Sequence, residues 1–120
     1  TAGCGGVPSI RANAEAELGS TAFAFVGEDA APQAQGVFLM SFAATSQPLL
    51  GLSLLVDLAH PIHVADARTA DARGTATYPL ALPSDPGLDG LHLYAQFVWL
   101  DACGPAGLSA TAGVDVTLRR

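Results

Sequence analysis

The chain has 120 residues, half of them apolar and only 13% charged, which suits one buried core and excludes a disordered tail. The net charge is −6 with no lysine at all, so a phosphate backbone would be repelled and nucleic-acid binding is not expected. The longest apolar run, residues 49–58, is broken by Gly51, Ser53 and Asp57, so no segment reads as membrane-spanning.

Residues 1–9 read as a flexible, Gly-rich arm containing Pro8, and residues 10–120 as a single domain. Opening on Thr1 without an initiator Met fits an exported chain whose leader has been removed, so the expected location is extracellular. Cys4 and Cys103 lie near opposite ends, each beside glycine. In an exported protein the simplest reading is one internal disulfide, worth roughly 4.7 kcal/mol for a loop of about 100 residues in the chain-entropy account. Two free thiols, or a bridge between subunits, are the competing readings.

From Ile10 to Leu18 apolar and polar residues alternate, which predicts a strand with one wet face. Residues 21–26 follow as a second strand, with Phe23 and Phe25 on one face. Residues 36–43 form a third, setting Val37, Leu39 and Ser41 against Phe38, Met40 and Phe42. After a loop at 45–48, residues 52–58 make a fourth. Ile62 to Val64 forms a short edge piece beside Pro61, which has no N–H to donate to a ladder. Residues 66–74 read as polar loop, and 75–82 as a strand with Pro79 at an edge or bulge. Turn chemistry fills 83–90. Residues 91–101 are the longest stretch of strand character and hold the single Trp. There Leu91, Leu93, Ala95, Phe97 and Trp99 share one face and His92, Tyr94, Gln96, Val98 and Leu100 the other, both largely apolar, which predicts a central strand covered on most of its area. The last strand, 108–118, places Ala110, Val114 and Val116 inward and Ser109, Thr111, Asp115 and Thr117 outward. Roughly seven to eight short strands with no amphipathic helix predict an all-β, two-sheet antiparallel β-sandwich, immunoglobulin-like or jelly-roll-like.

Three stretches also carry a resemblance: residues 69–74 (TADARG), 82–90 (LPSDPGLDG), and Leu93-Tyr94-Ala95-Gln96 running on to Asp101. They resemble a recurrent, mostly uncharacterised module of secreted bacterial proteins, over roughly residues 18–118. The resemblance implies an exported β-sandwich and brings no catalytic residues with it.

No nucleophile elbow, P-loop or dinucleotide glycine pattern is present, and the carboxylates are too dispersed to nominate a glycosidase pair. The expectation is a protein that is not an enzyme and needs no cofactor. His60 and His63 have the spacing to present two imidazoles to zinc or copper, with Asp57 or Asp66 as a third ligand. Two surface histidines at a strand end is the plainer reading. Asp85 and Asp89 offer oxygens for calcium but lack the EF-hand pattern. Cys103 as a nucleophile with His92 competes with its simpler role in a disulfide. Tyr78, Tyr94 and Trp99 are read first as core, with Tyr94 the best surface candidate.

Two functions are expected. The first is a structural module that self-assembles into a filament or surface layer. There the arm, through Val7, Ile10 and Ala12, adds a strand to a neighbouring copy. The second is an adhesin-like module that binds a glycan or cell-surface ligand near Tyr94, His60 and His63.

Overall fold

The computed structural model describes Cys4 and residues 6–49, 52–59, 63–104 and 107–120. Over these residues the chain forms ten strands and no α-helix. They are β1 (Ser9–Ala12), β2 (Ala24–Glu28), β3 (Gln35–Ser41), β4 (Ala44–Leu49), β5 (Leu52–Val56), β6 (His63–Thr69), β7 (Ala76–Pro79), β8 (His92–Leu100), β9 (Leu108–Ala110) and β10 (Val114–Thr117). A single 3-10 turn spans Pro86–Leu88. The fold is the expected all-β antiparallel sandwich, with more and shorter strands than the alternation suggests.

One sheet has the order β1-β2-β7; the other runs β10-β8-β3-β6, with β9 also paired to β8. Register fixes which residues share a face. Phe97 on β8 lies opposite Phe38 on β3, which in turn lies opposite Asp66 on β6. That face looks onto the three-stranded sheet, and Phe23, Phe25, Phe38, Phe97 and Trp99 are all essentially inaccessible between the two. Removing a side chain of that size from water stabilises by about 1.5–3 kcal/mol. The Phe97 and Trp99 rings stack 5.2 Å apart at 6°. They need room that only glycine leaves. A Cβ on Gly27 would stand 2.8 Å from the Phe97 ring. On Gly36 it would stand 2.5 Å from the Trp99 ring and 2.3 Å from the Val98 carbonyl oxygen.

The opposite face of the larger sheet is partly covered by a third, small layer, the β4–β5 ribbon. Gln96 pins it: the Leu55 N–H donates to Gln96 Oε1 at 3.0 Å, while Gln96 Nε2 donates to the Thr111 carbonyl at 2.9 Å. At the open side of the sandwich, Tyr78 on β7 stacks on Phe38 at 4.1 Å and donates its hydroxyl to Asp66 at 2.7 Å. The Arg68 guanidinium lies 4.5 Å from the Tyr78 ring centre. Edge strand β6 therefore places two charged side chains on the Phe38 side of its rim, Asp66 exposed and Arg68 half-buried, an arrangement that hinders pairing with another chain.

Five expectations are corrected. The strand over 10–18 ends at Ala12, because Asn13 takes over the backbone: its Oδ1 accepts from the Ala24 N–H at 2.8 Å and its Nδ2 donates to the Ala22 carbonyl at 2.9 Å. The loop at 45–48 is β4, where Pro48 sits opposite Ser53 in a two-stranded ribbon with an edge to spare. The loop at 66–74 is strand as far as Thr69, its polar residues serving as the guarded edge. Leu91, assigned to the core face, precedes β8 and is 42% exposed. The last strand is split in two at 111–113, and its facing reverses there. Ser109 and Thr111 are buried, the Thr111 Oγ1 accepting from the Phe97 N–H at 3.1 Å. Pro61 and Ile62 lie outside the described residues.

Two consequences are measurable. Gly36→Ala is expected to lower unfolding free energy by about 1–3 kcal/mol in a denaturant titration, since the new methyl meets backbone and a packed ring; unchanged stability would show that Trp99 moves freely. Burial first, then the bond to Asp66, pushes the Tyr78 hydroxyl above its ordinary value of 10.0. A group raised in the folded state contributes stability below its unfolded value and loses it as pH rises through the folded one. As pH rises above about 10 the parent should therefore lose stability more steeply than Tyr78→Phe in thermal unfolding, and parallel curves would contradict this.

Candidate functional site

The nominated residues do not converge on one place. Cys4 and Cys103 are bonded to each other, closing a loop with a sequence separation of 99. Val7 is exposed, while Ile10 and Ala12 sit in β1 opposite Gly27 and Phe25 of the same chain. His63 opens β6 opposite Ser41 and is exposed. His60 lies outside the described residues. Trp99 is core, and Tyr78 is committed to the Asp66 clasp.

The nominated carboxylates have local structural partners. Asp57 accepts from the Ala59 N–H at 2.9 Å, and Asp85 caps the 3-10 turn through the Gly87 N–H at 2.9 Å. Asp89 accepts from the Arg120 N–H at 3.2 Å. Asp71 takes the N–H groups of Thr75 and Arg73, and those bonds hold its carboxyl below the ordinary value of 3.8. Among the described residues, one close group of three metal-ligating side chains occurs: Cys4, Asp101 and Cys103. Its sulfurs are committed to the disulfide and its carboxylate is only 4% exposed. Both Asp101 oxygens accept from the Cys4 N–H at 3.0 Å, and Oδ1 also accepts from the Cys103 N–H at 3.0 Å. The Asp that ends the central strand thus clamps both ends of the bridge.

The place where differing chemistries do meet is the outer face of β8 and β10. Register sets Tyr94 opposite Asp115 and His92 opposite Thr117. Two residues apart on one strand, His92 and Tyr94 point the same way, their rings nearly parallel with centroids 6.1 Å apart. His92 Nδ1 is 2.8 Å from Asp115 Oδ1 and 3.5 Å from Thr117 Oγ1. Beside this ledge is a hollow of about 200 Å³ between the β4–β5 ribbon and β10, lined by Ala44, Thr45, Leu55, Tyr94, Gly113 and Asp115. Gly113 permits that approach, since a Cβ there would stand 3.2 Å from Leu55 Cβ. A larger hollow of about 520 Å³ opens at the far end of the sheet around Val37, Val98, Leu100 and Leu108, its apolar lining joined by Gln35, Arg68 and Thr69.

The sequence pattern puts His92 with Tyr94, and Asp115 with Thr117, each pair on one face. It does not show that the two pairs are neighbours, because that comes from the β8–β10 register.

No family model, curated protein or solved structure matches this chain.

Asp101→Ala should cost about 1–3 kcal/mol, because it leaves the two cysteine N–H groups without acceptors. It should also speed reduction of the disulfide by dithiothreitol, followed as thiol release under native conditions. An unaltered rate would mean that the clamp does not shield the bridge.

Proposed function

We propose that this chain is a non-enzymatic, exported module that binds a carbohydrate or cell-surface ligand through the ledge formed by His92, Tyr94, Asp115 and Thr117. The observation that carries this reading is their convergence beside a hollow: an exposed imidazole, a half-buried aromatic ring, a carboxylate and a hydroxyl, contributed by strands fixed in a sheet. Rigid aromatic and polar groups on a pre-formed surface bind at low conformational cost. Export is supported by the disulfide, which persists in oxidising compartments, and no helix among the described residues is long and apolar enough to cross a membrane.

The non-catalytic part of the reading has its own support. Both contacts of His92 fall on Nδ1. A base-assisted nucleophile needs its hydroxyl on the other ring nitrogen, with the carboxylate orienting the first. Thr117 is on the wrong side for that relay.

Self-assembly by strand donation draws less support from the geometry. The positions that would insert into a neighbour, Ile10 and Ala12, are already paired within the chain. From the bridge at Cys4 to the start of β1 at Ser9 the chain takes five residue steps (9 − 4), a reach of roughly 17 Å when extended. Exchange of β1 between copies is therefore held on a short leash, while β6 is guarded by the charges on its rim and β7 ends at Pro79.

The test combines particle size with binding. The disulfide-bonded protein is expected to be monodisperse in light scattering and, when fluorescently labelled, to bind a glycan array or whole cells. Filaments that vanish when residues 1–9 are deleted, with no binding to either surface, would reverse the choice between the two readings.

A further inference from the structure

The ledge also carries information about the kind of ligand, on the footing that it is the binding surface proposed for this chain. The hydrogen-bond network assigns a proton to His92 Nδ1, since Asp115 Oδ1 at 2.8 Å is an acceptor. In the neutral ring Nε2 is then an acceptor. Asp115 supplies a carboxylate, and it lies opposite Tyr94, whose ring offers a flat apolar surface. The Asp115 carboxylate and, in the neutral ring, His92 Nε2 thus accept hydrogen bonds, while the nearest arginine along the chain, Arg119 just past β10, shares a separate hollow with Thr117. Arg11 is paired with Glu28 at 2.6 Å, and Arg68 lies over Tyr78 at the β6 edge. None of the five arginines lines the hollow. An acidic ligand seated against Tyr94 would meet Asp115 and an overall charge of −6, with no arginine in the lining of that hollow.

A ligand rich in hydroxyl donors, with one apolar face and no negative charge, fits this arrangement. We propose that the ledge is a subsite for a neutral hexopyranose, seated with its C–H face on Tyr94 and its hydroxyls donating to Asp115 and His92 Nε2. The hollow beside it, about 200 Å³ with Thr45 on its wall, has the size of a single sugar ring. Gly113, on its wall, lets Leu55 of the ribbon lie close against β10. Tyr94 supplies stacking and Asp115 supplies orientation, so the two should be separable by mutation.

The experiment uses the intact, disulfide-bonded chain. Uncharged oligosaccharides of glucose, galactose and mannose are titrated beside uronic-acid-containing and sialylated ones, with saturation-transfer NMR and calorimetry as readouts. At least one neutral sugar is expected to bind and the acidic ones are not. Tyr94→Ala should weaken binding about tenfold or more, while Tyr94→Phe, which keeps the ring, should stay within about threefold. Asp115→Asn should weaken it about tenfold by replacing a charged acceptor. Leu100→Ala, at the far end of the sheet, should leave it unchanged. Each variant is checked by thermal unfolding, so that loss of fold is not read as loss of binding. A preference for acidic sugars, or neutral-sugar binding indifferent to both Tyr94→Ala and Asp115→Asn, overturns this proposal while the binding reading stands. Cell binding that no neutral sugar competes away does the same. Silence on both sugars and cells removes the two together.

Discussion

The structure depends on two aromatic rings lying flat where two glycines make room for them. Phe97 and Trp99 stack face to face along β8, each fully buried. Phe97 fits against Gly27 of the facing sheet, and Trp99 covers Gly36, its cross-strand partner. The separation of the sheets at this point is set by ring thickness rather than by aliphatic packing. The remaining aromatics extend the same contact: Phe38 meets Phe97 edge-on at 5.2 Å, and Phe25 meets Phe38 at 5.5 Å. The fit is not complete in its polar atoms. Trp99 Nε1 and the Ser109 hydroxyl, on cross-strand partners, are buried without a hydrogen-bond partner among the described residues. Packing of the indole outweighs the cost of about 1–3 kcal/mol for each such group.

β8 is also where the polar fastenings of the molecule begin. Gln96 reaches outward to hold the β4–β5 ribbon and the turn at Thr111, and Asp101, just past the strand, holds both halves of the disulfide. Side chains at even positions from His92 to Gln96 thus serve the outer face, while odd positions from Leu93 to Trp99 serve the core. The candidate ledge inherits its rigidity from this division. His92 and Tyr94 belong to a strand held by its neighbours in the sheet, so their rings are presented by a sheet and not by a loop.

Much of this was legible in the sequence. The run from 91 to 101 announced the central strand and its core face, and Phe38 and Met40 announced the matching face of β3. What stayed hidden was pairing between distant segments. Period-two alternation says which residues share a face, but it does not say which sheet that face meets. Ser109 and Thr111 look like surface residues until β9 is seen to end and the chain to turn. Asp66 and Arg68 look like a polar loop because an edge strand that carries charges on the core side of its rim breaks the usual pattern. Asp115 and Thr117 gain interest only when register places them against Tyr94 and His92.

The bridge between Cys4 and Cys103 also decides how this molecule would carry a mechanical load. If the chain is pulled between its arm and Arg120, force entering at Cys4 crosses the sulfurs to Cys103 and bypasses everything between. The two principal sheets, apart from β9 and β10, then lie off the load path. Only the stretch from Cys103 onward can lengthen, and its 17 residues (120 − 103) extend to roughly 60 Å. The strands in that stretch are β9 and β10, and peeling β10 from β8 would separate Asp115 and Thr117 from His92 and Tyr94. Tension on the C-terminal end would thus dismantle the ledge while leaving the aromatic core closed.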